Sequence, residues 1–113
     1  MIKDSKLQKG SILYYHGEWF VLVNIILTKS KKIKLNCICD NANNIYSYSP
    51  EDIEYSATPL EAITAANWAR YNDETFRELA SERAIPIEVI AEVLSGKHDD
   101  RFDHWYKFEV EEE

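Results

Sequence analysis

The hydrophobic period of this chain changes once, at Thr58-Pro59, and that change limits the fold more than any other feature. Before it, Ile33, Leu35, Cys37 and Cys39 fall on one side of a segment whose other side carries Lys34, Asn36 and Asp40. Successive side chains of a strand point to opposite faces, so this alternation is that of a half-buried β-strand. After it, apolar residues recur three and four apart, the spacing of helix faces turned toward a core. The expectation is an α+β chain, with a β half over residues 1–56 and a helical half over 57–113.

The β half divides into short strands at turn signals. Ile12 and Tyr14 open a first strand that stops at His16-Gly17-Glu18, where Gly17 supplies a positive φ. Trp19 to Leu27 is rich in β-branched and aromatic residues, and Thr28 to Lys32 is the turn after it. The alternating segment follows, then a turn at Asn41 to Asn44. Ile45–Tyr48 reads as a short strand, Pro50-Glu51-Asp52 as a tight turn, and Ile53–Tyr55 as a last strand. Many short strands with edges to protect favour closure into a small barrel. The run KGSILYYHGEWFVLVNI, a turn glycine followed by a Gly-Glu-aromatic hairpin, resembles SH3-like small β-barrels, including those attached to Mu-type transposases. That resemblance implies a closed barrel and assigns no function.

In the helical half, Thr58 is an N-cap with Pro59 at the first helical position, and Leu60, Ile63, Ala66 and Trp68 are expected to face inward. Asn72-Asp73 breaks this helix. Thr75 and Glu78 have the spacing of a capping box for the next, whose apolar stripe is Phe76, Leu79 and Ala80. Ile85-Pro86 separates it from a third helix with Ile87, Ile90, Val93 and Leu94 inward, closed by Ser95-Gly96. A fourth element is open for the tail, His98 to Glu113.

Residues Thr75 to Lys97, TFRELASERAIPIEVIAEVLSGK, resemble the helix-turn-helix of lambda-repressor/Cro-type DNA-binding domains. Thr75 stands at that family's cap, Leu79-Ala80 at its buried pair, Ile85 in the turn, and Ile90, Val93 and Leu94 on the buried side of the recognition helix. The likeness spans roughly residues 60–97 and implies a three-to-four-helix module. The departures concern DNA. The turn glycine is Ala84, the phosphate-contacting position is Phe76, and the outward start of the recognition helix offers Ile87, Glu88 and Val89, then Glu92, where base readers are usually Gln, Asn, Ser or Arg.

Charge is uneven. The chain of 113 residues carries a net −7. Residues 1–56 hold seven lysines against six acids, and residues 57–113 hold six bases against fourteen, a net −8. Such a half repels phosphates and suits a basic partner. One basic cluster, Lys29, Lys31, Lys32 and Lys34, sits at a predicted hairpin and is a candidate nucleic-acid contact with Tyr14, Tyr15, Tyr46 and Tyr48 nearby. Its plainer role is to guard a strand edge.

Other chemistries have little support. Three glycines, at 10, 17 and 96, make no phosphate loop, and no nucleophile elbow or paired-cysteine metal motif is present. Cys37 and Cys39 are too close along one strand for a disulfide and read as small apolar residues. His98-Asp99-Asp100 and Asp103-His104 read as an acidic tail rather than a metal site. No apolar run approaches the roughly 20 residues of a membrane span. No signal-peptide core opens the chain, so a cytoplasmic location is expected.

These readings converge on a non-enzymatic protein-binding module with no catalytic residues, cofactor or metal. It resembles in character the small phage or mobile-element inhibitors and adaptors that mimic nucleic acid and engage basic surfaces of nucleic-acid-handling machinery. The expected partner-binding residues are Glu88, Glu92, Asp99, Asp100, Asp103, Trp105, Tyr106 and Glu109, aromatic anchors within an acidic rim. The alternative is a DNA-binding transcriptional regulator using the helix-turn-helix. The oligomeric state is left open.

Overall fold

A computed structural model describes residues 7–28, 30–39, 45–67, 74–82 and 84–98. Five strands, β1 (Ile12–Tyr15), β2 (Glu18–Leu27), β3 (Ile33–Ile38), β4 (Ile45–Tyr48) and β5 (Tyr55–Ala57), precede three helices, α1 (Pro59–Asn67), α2 (Glu74–Glu82) and α3 (Ile87–Leu94). The strands form one antiparallel sheet in the order β4-β3-β2-β1-β5.

The expected SH3-like barrel is corrected to an open sheet. Among the described residues, β4 and β5 are its two edges and share no ladder. They are only four and three residues long, and a single 3₁₀ turn at Pro50–Asp52 lies in the connection between them. The last strand also starts later than expected, at Tyr55, so it straddles the anticipated boundary between halves. The sheet nevertheless curls, since the rings of Tyr15 on β1 and Tyr48 on β4 lie 4.8 Å apart although two strands separate theirs in the order.

Local chemistry explains the pairings. His16 and Gly17 join β1 to β2 with φ of 51° and 83°, and Tyr15 faces Glu18 across them. Two successive positive φ values are the type I′ geometry that fits the twist of a two-residue hairpin. The next hairpin is tied by Thr28, buried at 2% exposure. Its amide donates to the Lys32 carbonyl at 2.9 Å, and its hydroxyl accepts from the Lys32 amide at 3.1 Å. A bulge between Leu22 and Asn24 slips β2 by one residue against β3. Leu22 and Ile25 therefore oppose Cys37 and Leu35 on the same face, despite their odd spacing.

Both faces of the sheet are buried. On one, Ile12, Trp19, Val21, Val23, Ile38 and Ala57 pack with Ala62, Phe76, Ile90 and Val93 from the helices. On the other, Leu13, Phe20, Leu22, Ile25, Leu35 and Cys37 pack with Leu7 and Ile53, and Ile33, Cys39, Tyr15, Tyr46 and Tyr48 close over them. The first of these cores joins residues from both halves, and the second is drawn from the β half alone.

The first helix meets the core only partly as expected, with Ile63 half-buried against it. Pro59, Ala62 and Ala65 are buried, while Leu60 is 74% exposed and Ala66 is exposed. Trp68 lies outside the described residues. On α3, Ile90 and Val93 are buried as expected, but Leu94 is 48% exposed. The capping box is also found elsewhere. Thr75 lies inside α2, one residue past its start. At α1, the Thr58 amide donates to Glu61 Oε1 at 2.9 Å and the Glu61 amide donates to Thr58 Oγ1 at 3.1 Å. Replacing Thr58 by alanine is expected to cost about 1 kcal/mol in a denaturant titration, with an unchanged slope.

Candidate interaction surfaces

Helix α3 brings two of the expected acidic residues, Glu88 and Glu92, to different environments. Glu88 is exposed in the first turn of α3. Glu92, one turn on, is engaged within the chain. Its carboxylate meets His98 Nε2 at 3.1 Å and Lys97 Nζ at 3.5 Å. Gly96, at φ 84°, makes this possible. The Gly96 amide donates to the Val93 carbonyl and the Lys97 amide to the Glu92 carbonyl, both at 3.1 Å. That pair of bonds is a Schellman motif, which folds the chain back over the helix end. His98 is buried there at 8% exposure. Asp99, Asp100, Asp103, Trp105, Tyr106 and Glu109 lie outside the described residues.

The hydrogen bond from His98, aided by Lys97, holds the Glu92 carboxyl below its ordinary value of 4.5. A carboxyl whose pKa is lowered on folding adds stability above its unfolded pKa, and loses it as pH falls through the folded one. Glu92→Gln is therefore expected to flatten the loss of stability below about pH 4.5. Denaturation midpoints across that range would read the difference.

Three of the four clustered lysines can be placed. Lys31 and Lys32 are exposed in the β2–β3 turn, with Lys31 at φ 69°. Lys34 stands in β3 opposite Ile26, between residues that face the second core, and so points to the other side of the sheet from Tyr46 and Tyr48. Lys29 lies outside the described residues. Tyr14 packs on Trp19 at 4.7 Å, on the helix-covered face. Tyr14 and Lys34 thus lie on the opposite face of the sheet from Tyr15, Tyr46 and Tyr48.

Three of those tyrosines form a surface that their sequence positions do not announce. Tyr15, Tyr46 and Tyr48 are half-buried over Phe20, whose ring lies 5.1 Å from Tyr46 and 5.3 Å from Tyr48. Tyr46 and Tyr48 are nearly parallel, with an 11° interplanar angle at 6.2 Å. His16 lies against Tyr15 at 4.4 Å. Glu18, opposite Tyr15 in the register, shares its face. The Glu54 carboxylate accepts weakly from the His16 amide at 3.5 Å. Burial raises the Tyr48 phenol above its ordinary pKa, and Cys37, Tyr15, Tyr46 and Glu18 add to the shift. Beneath, Cys37 is fully buried, its thiol donating to the Tyr46 carbonyl at 3.6 Å. Burial, with Cys39 adding, pushes that thiol up to about 12, so it stays protonated and unreactive at neutral pH.

Among the described residues, no three His, Cys, Asp or Glu side chains gather as metal ligands would. No helix there is long and apolar enough to cross a membrane. No protein-family model, curated protein or solved structure matches the chain.

Proposed function

We propose that this chain is a non-enzymatic protein-binding module that engages a basic surface of nucleic-acid-handling machinery, as an inhibitor or adaptor working in the cytoplasm. The observation that carries this reading is the charge of residues 57–113, where fourteen acids stand against six bases. The described part of that half adds support. Glu74, Glu78 and Glu88 are exposed on α2 and α3, where a DNA reader would present cations and amides. Carboxylates in such numbers mimic the charge of a nucleic acid, speed encounter with a cationic partner and repel a duplex.

The test is capture from a nuclease-treated bacterial lysate with the immobilised chain, followed by mass spectrometry. A stoichiometric protein whose retention is displaced by duplex DNA is the expected result. Nucleic acid retained when nuclease is omitted, with no protein partner, would overturn it.

A second reading has one observation in its favour. The succession α1, α2, α3, with only four residues between α2 and α3, fits the helix-turn-helix resemblance and a DNA-binding transcriptional regulator. That reading requires duplex binding that weakens steeply with salt and with loss of Lys31 and Lys32.

A further inference from the structure

We infer that the surface made by Tyr15, Tyr46 and Tyr48, with Glu18 and Glu54 at its rim, docks an arginine-bearing extended segment of a protein partner. The inference rests on the reading of the chain as a binder of basic proteins, and assigns it a contact on the sheet rather than on the acidic helices and tail.

The three rings come from strands far apart in sequence and are brought together by the curl of the sheet, 4.8 Å between Tyr15 and Tyr48. Phe20 beneath them and the Tyr15–His16 contact fix their orientation. All three residues are partly exposed. The face of an aromatic ring attracts a cation, and a guanidinium stacks flat on it better than a compact ammonium. The rim supplies the complementary charge, since Glu18 shares the face of Tyr15 and the Glu54 carboxylate reaches the His16 amide. The same carboxylates oppose the phosphates of a nucleic acid that would otherwise stack its bases there. Among the described residues, β4 is an outer strand of the sheet. An extended segment running alongside it can add main-chain hydrogen bonds while its alternate side chains meet the rings.

The experiment is an amide chemical-shift titration of the full chain with three probes: a ten-residue peptide of alternating arginine and serine, the lysine–serine equivalent, and an eight-residue oligothymidylate. The arginine peptide is expected to shift the amides of residues 15–18 and 45–48, and to bind more tightly than the lysine peptide. Tyr48→Leu, which keeps apolar cover over Phe20 while removing the ring, is expected to weaken binding about three- to fivefold. Glu18→Gln, at an exposed hairpin position, is expected to weaken it and reduce its salt dependence. An unchanged far-UV spectrum and amide dispersion separate these losses from misfolding. Shifts confined to α2 and α3 would overturn this surface and leave the proposed function standing. No shift with the arginine peptide would also overturn it, while the lysate capture decides the broader reading independently. Tighter binding of the oligothymidylate at the same amides would overturn it in favour of nucleic acid.

Discussion

Phe76→Ala is expected to destabilise the protein by about 3–5 kcal/mol, the range for removing a fully buried phenylalanine. Phe76 has 0% exposure, and its ring meets Trp19 edge-on at 5.4 Å and lies nearly parallel to Tyr55 at 5.2 Å. Those contacts join α2 to β2 and β5. The aromatic pairs add to the area term, about 0.5–1.5 kcal/mol each. A small domain typically has only about 5–15 kcal/mol in all, so the variant would unfold over a much lower denaturant range. Phe76→Leu keeps most of the volume and is expected to cost markedly less. Equal losses from the two variants would mean that ring contacts, rather than filled space, carry the stability.

The second large effect concerns binding. Simultaneous replacement of Asp99, Asp100 and Asp103 by lysine changes the net charge of the chain from −7 to −1. Truncating one member of a buried, paired charge at an interface costs about 2–5 kcal/mol, and like charges in apposition add to that. Affinity for the captured partner is therefore expected to fall at least about a hundredfold, with most of the loss in the dissociation rate if these carboxylates are buried in the complex. Glu88→Lys, on the exposed first turn of α3, is expected to act mainly on the association rate. Retained affinity in the triple variant would place the contact elsewhere on the chain.

The elements were legible where local chemistry determines them. β2 and β3 lie close to their expected ranges because β-branched density and strict alternation are local signals. The positive φ of Gly17 and the cap at Gly96 were visible for the same reason. What the sequence did not disclose depends on distant partners. Barrel closure requires β4 to meet β5, and neither length nor composition reveals that the turn at Pro50–Asp52 leaves them apart. The bulge after Leu22 restores a face that simple alternation would have lost.

Phe76 is instructive. The helical period expected it on the inward stripe with Leu79 and Ala80, and its ring packs there against Trp19 and Tyr55. Glu92 and His98 are six residues apart, too far for neighbours on one helix face, and meet because the chain folds back at Gly96. Tyr15 and Tyr48 carry no local mark of their proximity. Only the curl of the sheet creates it.

The most direct measurement of the central claim is a competition in solution. Fluorescent duplex DNA is bound to the captured partner, and the unlabelled chain is titrated in while anisotropy is followed. Release of the DNA in step with formation of a one-to-one protein complex, and no binding of the chain to the duplex alone at low salt, is what the account predicts. Direct binding of the chain to the duplex, weakening steeply as salt rises, would contradict it.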